Sequence, residues 1–213
     1  SDVYKRQVLN NTQPTVWGYN IVDKTIEPND ESDPDRIGKD TFVTYNEIID
    51  PVSKETNQTV SFAGAGSATP NDNVQNDFVF KGSYNEATKE TTWENKDHTY
   101  GTVKVPVVAG YFADKSEAGA KTVTPDSPKA TDTVTYKVLG KIIPVDASGN
   151  VIADAPQPQY MNDANDPRKA GETAVPEIVG YKPERTSVTP EKPGEDTKVT
   201  YVKTDQVLSL IHI

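Results

Sequence analysis

Pro106-Val107-Val108-Ala109-Gly110-Tyr111 is one of three versions of a single phrase, Pro-x-Val/Ile-x-Gly-Tyr, in this 213-residue chain. The others read Pro14-Thr15-Val16-Trp17-Gly18-Tyr19 and Pro176-Glu177-Ile178-Val179-Gly180-Tyr181. Proline and glycine each make up only about 5 to 7% of an average protein, so three whole phrases in the same order indicate internal duplication. The sequence therefore predicts an array of related units.

A closing strand follows each copy of the phrase and divides the chain into units. The closings read Asp40-Thr41-Phe42-Val43-Thr44-Tyr45, Asp132-Thr133-Val134-Thr135-Tyr136 and Asp196-Thr197-Lys198-Val199-Thr200-Tyr201. We predict the C-terminal half of a truncated repeat at residues 8–45, a complete repeat at 46–136 and a shorter repeat at 137–203. Domains of this size bury only about 60% of the surface of their unfolded chain, which favours surface recognition over a deep catalytic cleft.

The two ends differ in composition from the repeats between them. Residues 1–7 and 204–213 resemble translated sequencing-adapter sequence, and we expect them to take no part in the fold. The chain has neither an apolar stretch of the roughly 20 residues that a membrane helix needs nor the apolar core of a signal peptide. We therefore expect any export signal and any wall anchor to lie outside this sequence.

Alternation of apolar and polar residues predicts a mainly β fold, β-rich α+β at most, built from small tandem repeat domains. In the longer repeat it predicts strands at residues 59–62, 77–80, 91–93 and 102–105, with loops at 64–67 and 84–88. The shorter repeat is predicted to open with a strand at 141–145 and to turn back at Gly149-Asn150.

Composition narrows the classes of partner and the setting. Hydrophobic residues make up 34% of the chain and the formal net charge is −10, which repels nucleic acid and anionic membranes. Cysteine is absent, so disulfides, thiolate metal sites and cysteine nucleophiles are excluded. Such a chain suits export through a single membrane to a Gram-positive cell surface.

No catalytic constellation stands out. The two histidines are His98, in a charged loop, and His212, in the foreign-looking tail. The chain has no nucleophile elbow, phosphate-binding glycine loop or zinc-ligand spacing, and a pair of catalytic carboxyls would need a shaped cleft with one desolvated member. The sequence therefore predicts a protein that is not an enzyme.

Metal binding and a covalent crosslink stay open as alternatives. The acidic loops at residues 29–35 and 162–166 offer oxygen ligands for calcium, but neither matches the EF-hand pattern. No cofactor is predicted, with calcium as the alternative. A self-formed Lys-Asn crosslink would show as a loss of ammonia in the intact mass.

Aromatic residues beside polar ones are the candidate glycan contacts, and core packing is the competing interpretation, above all for a tryptophan in a predicted strand. The candidates are Tyr84, Trp93, Tyr100 and Tyr160. The repeated phrase is better explained by architecture, because proline suits a strand start, glycine permits a strained turn and tyrosine covers a core with its ring. The residues assigned this structural role are Pro14, Gly18, Tyr19, Pro106, Gly110, Tyr111, Pro176, Gly180 and Tyr181.

These strand and turn phrases resemble the repeats of mucus-binding (MucBP or Mub-type) surface proteins of lactobacilli and related Gram-positive bacteria. The resemblance is carried by Thr59-Val60-Ser61-Phe62, Thr91-Thr92-Trp93 and the segment from Val105 to Tyr111. The unit opened by Lys141-Ile142-Ile143-Pro144-Val145 looks like a shorter member of the same family. The resemblance implies tandem β-rich modules, often of the ubiquitin-like β-grasp kind.

What the resemblance implies for function is a fragment of an extracellular, cell-wall-attached adhesin. Its repeats would form a monomeric tandem array that binds mucin glycans or host glycoproteins, and in some family members immunoglobulin. The alternative is a stalk, in which the repeats only project a distal adhesin domain from the wall. No family binding residue maps onto a position of this chain.

Overall fold

The computed structural model describes residues 15–22 and 43–205, and these form strands, turns and loops almost throughout. The single helical element in those ranges is a 3-10 turn, Gly66–Ala68, so the mainly β fold class is confirmed. No α-helix of the β-grasp kind occurs in this part of the chain. The predicted loop at 29–35, Pro14, residues 1–7 and most of 204–213 lie outside the described residues.

The chain forms two compact units, and the first contains residues 15–22, 43–56, 78–97 and 124–126 of the described part. It holds a two-stranded antiparallel ladder, β1-β2, and a three-stranded antiparallel sheet in the order β3-β6-β7. Numbered along the whole chain, its strands are β1 Tyr19–Ile21, β2 Tyr45–Glu47, β3 Ile49–Glu55, β6 Val79–Asn85 and β7 Glu90–Trp93.

The second unit contains residues 57–77, 98–123 and 127–205 of the described part. In chain order its strands are β4 Asn57–Ala63, β5 Asn73–Gln75, β8 His98–Thr99, β9 Thr102–Lys104, β10 Tyr111–Ala113, β11 Glu117–Gly119, β12 Thr122–Val123, β13 Lys129–Val138, β14 Ile142–Val145, β15 Thr173–Ala174, β16 Tyr181–Pro183, β17 Ser187–Val188 and β18 Thr197–Lys203. Its larger sheets have the orders β10-β13-β4-β5 and β14-β18-β16, and three two-stranded ladders, β9-β11, β8-β12 and β15-β17, complete it.

One strand arrangement occurs twice in the second unit. The closing strand β13 runs parallel to β4 and antiparallel to β10, and the closing strand β18 runs parallel to β14 and antiparallel to β16. The tyrosine of the phrase starts β10 and β16 and pairs with Val138 and Lys203. Because parallel pairing needs a long crossover, each closing strand is reached only after the rest of the repeat. The duplication in the sequence is thus also a duplication of topology.

Two hydrophobic clusters lie in the second unit. Alternate residues of β4 and β13 supply the first cluster, which includes Val60, Phe62, Val134 and Tyr136. The second runs from Leu139 to Tyr201. The division into compact units does not coincide with the predicted repeats, since residues of 46–136 occur in both units. The repeat boundaries stay predictions.

Most of the predicted strands are present, with shifted ends. Residues 59–62, 91–93 and 141–145 fall in or largely within β4, β7 and β14. The predicted strand at 77–80 begins later and extends to Asn85, where a loop had been expected. The loop starts late because the Asn85 side chain accepts the backbone N–H groups of Ala87 and Thr88, which closes the turn only there.

The hairpin at Gly149-Asn150 is confirmed. The backbone N–H of Asp146 donates to Asn150 O at 2.8 Å, and Val145 bridges to Val151. The Asp146 carboxylate accepts the backbone N–H groups of Ser148 and Asn150. These bonds favour the charged form and lower the pKa of Asp146, against a smaller effect of burial.

The closing strand is fastened to the phrase by a buried tyrosine hydroxyl. Tyr136 donates to Pro106 O at 2.7 Å, and Tyr201 donates to Pro176 O at 2.6 Å. The two rings are 2% and 0% exposed. Burial raises the pKa of both phenols, with the Asp114 charge contributing at Tyr136. The shared order of phrase and closing strand therefore serves a hydrogen bond as well as strand pairing.

Replacing Tyr201 with phenylalanine should lower the free energy of unfolding by about 1 to 3 kcal/mol, because the Pro176 carbonyl loses its buried donor. The hydroxyl also confers pH dependence. Since its folded-state pKa is raised, the neutral phenol stabilises the fold fully below the unfolded pKa, 10.0, and this contribution is lost as pH rises through the higher folded pKa. Urea denaturation at pH 8 and pH 11 should therefore show a smaller loss of stability at alkaline pH in Tyr201→Phe than in the unmodified chain.

The half-buried Tyr181 provides the control for this measurement. Tyr181→Phe should keep the alkaline loss of stability of the unmodified chain, because Tyr201 is intact. An equal alkaline loss in Tyr201→Phe and the unmodified chain would contradict the assignment.

The acid three residues after Tyr111 and after Tyr181 joins two strands. Asp114 N donates to Thr135 O, and the Asp114 carboxylate accepts the Thr135 N–H at 3.0 Å. Glu184 repeats both bonds with Thr200. The repeated acidic residue is therefore structural in both places.

A loop at residues 159–162, the carboxamide loop, binds the Gly110 turn, which we define as residues 106–111. Asn162 accepts the Gly110 N–H at 2.9 Å and donates to Val108 O and Tyr111 O at 2.9 and 2.8 Å. Gln159 donates to Gly110 O and Leu139 O. Both side chains belong to the shorter predicted repeat, so that repeat holds the turn of the one before it.

Candidate functional site

Two of the four candidate glycan contacts share one face of the β3-β6-β7 sheet. Trp93 pairs with Gly82, and Tyr84 pairs with Thr91 on the neighbouring strand. Tyr84 and Trp93 are therefore diagonal neighbours, a relation that places side chains about 7–8 Å apart in antiparallel sheets. Both are half-buried. We call the face formed by Asp50, Tyr84, Glu86, Thr91 and Trp93 the aromatic face.

A glycine makes room for the indole on this face. A Cβ added to Gly82 would lie 2.9 Å from Trp93 Cε3, closer than packed carbon atoms approach. The fully buried Phe80 meets Trp93 edge-on, with ring centroids 6.3 Å apart and planes at 67°. The indole thus packs beside Phe80 on the same face of the sheet, while part of it stays open to solvent.

Carboxyl groups border the aromatic residues. Asp50 on β3 pairs directly with Tyr84, and Glu86 follows two residues after that tyrosine. A hydrogen bond with the Asp50 carboxyl, followed by desolvation and like-charge repulsion, raises the pKa of Glu86. Aromatic rings beside carboxyl groups can stack on the apolar face of a sugar and accept its hydroxyl hydrogens, so this arrangement suits carbohydrate.

The other two candidates occupy the interior. Tyr100 is 3% exposed and meets His98 edge-on, with ring centroids 4.8 Å apart. Tyr160 is 2% exposed, and its hydroxyl bonds to Glu195 O and Thr197 Oγ1 at 2.8 and 2.6 Å. Their rings offer no free face to a sugar, so the expectation of glycan contact is wrong for these two. Period-two alternation does not reveal their burial, because they lie in irregular segments.

Of the two acidic loops that could bind calcium, the structure describes residues 162–166. Oxygen atoms of this loop accept hydrogen bonds from the protein itself. Asp163 accepts the N–H groups of Asn165 and Asp166, while Asn162 binds the Gly110 turn. Hydrogen bonding to Arg168 is the main cause that lowers the pKa of Asp166 to about 2. Within residues 15–22 and 43–205, no group of three or more His, Cys, Asp or Glu side chains is placed to hold a metal ion. Calcium binding stays an untested alternative, and the other acidic loop, 29–35, lies outside the described residues.

The structure places the phrase residues at turns that begin a strand. Gly18, Gly110 and Gly180 have φ of 81°, 83° and 82°, in the left-handed region that favours glycine. Tyr111 and Tyr181 pack against the first and second core clusters, and Tyr19 is half-buried. Sequence reasoning missed that Asp50 and Glu86 lie beside the aromatic residues. It also missed the hydrogen bonds from Gln159 and Asn162 to the Gly110 turn. Strand register brings Asp50 beside Tyr84, and chain closure brings Gln159 and Asn162 to the Gly110 turn.

Residues 50–140 match the model of the Muc B2-like domain family. The matched segment contains all of the aromatic face and the first hydrophobic cluster. This segment of the chain is therefore similar to a mucus-binding-protein repeat. No curated protein matches the chain significantly.

Several solved structures are similar to parts of the chain. A MucBP domain of a Lactobacillus acidophilus protein is 24% identical, covering 43% of this chain and 99% of that domain, with a TM-score of 0.31. The mucin-binding domain of Spr1345 from Streptococcus pneumoniae is 18% identical, covering 43% and 97%, with a TM-score of 0.35. The type 2 repeat of the mucus binding protein MUB from Lactobacillus reuteri is 18% identical, covering 57% and 76%, with a TM-score of 0.34.

In the described part of the chain, no helix has the length and apolarity that crossing a membrane requires.

Proposed function

We propose that the chain is part of an extracellular, wall-attached adhesin of a Gram-positive bacterium and that its aromatic face binds mucin glycans or host glycoproteins. The observation that carries the proposal is the placement of Tyr84 and Trp93 on one face of one sheet, within the segment that matches the Muc B2-like family. No step of the proposal requires catalysis.

The chemistry of the face supports carbohydrate over other ligands. Trp93 and Tyr84 are half-buried, so each ring is held in place and yet reachable. The carboxyls of Asp50 and Glu86 add acceptors for sugar hydroxyls, whereas the formal net charge of −10 disfavours nucleic acid. A single shallow face binds weakly, and several repeats on one fibre gain affinity through avidity.

Replacing Trp93 with leucine should weaken mucin binding by about tenfold or more, since aromatic anchors dominate such interfaces. The measurement is titration of the chain with mucin O-glycans, followed by tryptophan fluorescence. A Trp17→Phe background leaves Trp93 as the only tryptophan of the chain. For the Trp93→Leu chain, which then has no tryptophan, binding is followed by mucin pull-down with the protein displayed multivalently.

Thr92→Ala is the matched control, because Thr92 lies on the same strand and points to the opposite face of the sheet. It should bind mucin as the unmodified chain does. Thermal unfolding shows whether each variant is folded. No binding by the folded, multivalent, unmodified chain would contradict the proposed function, and unchanged binding in folded Trp93→Leu would contradict the assigned face.

A second candidate function, a stalk that spaces a distal domain from the wall, is favoured by one observation. The carboxamide loop fixes the Gly110 turn through four side-chain hydrogen bonds and donates a fifth to Leu139 O, as a stiff rod would need. The mucin pull-down separates the two functions, because a stalk has no affinity for glycans.

A further inference from the structure

The three Gly-Tyr turns have the same backbone geometry. Besides the shared positive φ, the tyrosine N–H donates to the carbonyl three residues earlier, at 3.2, 3.0 and 3.0 Å for Tyr19, Tyr111 and Tyr181. Each glycine carbonyl accepts a backbone N–H just beyond the partner strand, from Ile48, Leu139 and Thr204. Equal backbones present equal hydrogen-bonding groups outward, so what binds one turn can bind another.

Two of the three turns are covered by chain that follows them. A Cβ on Gly18 would lie 2.5 Å from Ala87 Cα, so a hairpin of the longer repeat lies against that turn. At Gly110, a Cβ would lie 3.1 Å from Gln159 Oε1, and the carboxamide loop supplies the hydrogen bonds described above. In each case the covering chain belongs to the next predicted repeat.

The Gly180 turn, residues 176–181, is open among the residues that the structure describes. A Cβ on Gly180 would meet no atom within 4 Å, and Val179 is 99% exposed. An open cleft of about 800 Å³ lies beside the turn. The residues that line it include Pro176, Ile178, Tyr181, Pro183 and Thr204.

We propose that the Gly180 turn is a docking site for a further repeat of the same kind, which binds it through a carboxamide pair equivalent to Gln159 and Asn162. The Gly110 turn identifies the occupant, because the backbone N–H and C=O groups that its carboxamide loop binds have equivalents in the Gly180 turn. Its point of attachment follows from register, because Val138 and Lys203 are the partners of equivalent tyrosines. The shorter repeat continues from Val138 with Leu139, so an equivalent further repeat would continue directly from Lys203.

Two contacts of the Gly110 junction cannot recur at Gly180. Phe112 packs against the second core cluster, and Lys182 stands at the equivalent position. Ala113 N donates to Pro167 O, whereas Pro183 has no N–H to donate. The docked repeat is therefore held by its carboxamide bonds without the inserted ring, which makes the docking sensitive to the asparagine.

The test uses a variant of the chain in which a second copy of residues 139–203 is joined directly to Lys203. Hydrogen exchange of the Gly180 amide is then measured by NMR. In the docked repeat, that N–H donates to the asparagine of the appended copy. We expect its exchange to slow by about tenfold or more relative to the chain without the addition. Asn162→Asp in the appended copy alone should remove this protection, because the acid lacks the donors for the two turn carbonyls.

Asn165→Ala in the appended copy is the control and should keep the protection. A second set of dispersed resonances for Val199 and Tyr201 reports that the appended copy is folded. A folded copy with an unprotected Gly180 amide overturns the proposal. A copy that does not fold in this position also overturns it, because the same sequence folds behind the Gly110 turn.

Discussion

Replacing Gly64 with alanine is expected to lower the free energy of unfolding of the second unit by about 2 to 5 kcal/mol. Gly64 follows β4 and has φ of 97°, which costs a residue with a side chain about 1–2 kcal/mol. An added Cβ would also collide with the Tyr136 carbonyl oxygen and lie 3.1 Å from its carbon. Because those are backbone atoms of the closing strand, relief requires β4 and β13 to separate, and overpacking of this kind costs a further 1–3 kcal/mol or so.

Gly149→Ala is the matched control for this prediction. Gly149 has φ of 85°, but a Cβ there would meet no atom within 4 Å. It should cost only the backbone term of about 1–2 kcal/mol. Urea denaturation followed by circular dichroism measures both variants. Equal losses would show that close approach of the two strands adds nothing at Gly64.

Replacing Asn162 with aspartate is expected to lower the free energy of unfolding by about 2 to 4 kcal/mol at pH 7. The isosteric change removes both donors to Val108 O and Tyr111 O and places a negative charge against those carbonyls. The repulsion raises the pKa of the introduced carboxyl. Its penalty is therefore full above that pKa and shrinks as pH falls through it, when the protonated group can donate one bond again.

The control is Asn165→Ala, an exposed residue three positions away, which should change stability by less than about 0.5 kcal/mol. Urea denaturation at pH 7 and pH 4 checks the prediction. A loss for Asn162→Asp that is as large at pH 4 as at pH 7, relative to the unmodified chain, would contradict the role of the two donated bonds.

The strands at β4, β7 and β14 and the hairpin at Gly149 could be predicted because their signals are local. Alternation along a strand and a Gly-Asn turn depend on neighbouring residues only. The position at which the loop after β6 begins could not be predicted. The sequence pattern is compatible with a strand that ends at Asn85 or at a residue before it. The Asn85 side chain decides between them by capping the turn.

The candidate site could be predicted only in part. Trp93 and Tyr84 were recognisable as aromatic residues among polar ones, but so were Tyr100 and Tyr160, and these two are buried. Exposure depends on which segments pack over a ring, and residues distant in sequence do that: Glu195 and Thr197 bind the Tyr160 hydroxyl. The pairing of Asp50 with Tyr84 likewise depends on register across a sheet.

The sequence by itself determined the duplication, the β class and the need for glycine in the Gly-Tyr turns, since each is written in residue order, alternation or a single backbone angle. Only the tertiary structure decided which aromatic residues share a face and what the Gly-Tyr turns bind. Asn162 reaches Gly110 across 52 positions of the chain. Such a contact has no local signal, because it forms only when chain closure brings two complementary sets of hydrogen-bonding groups within reach.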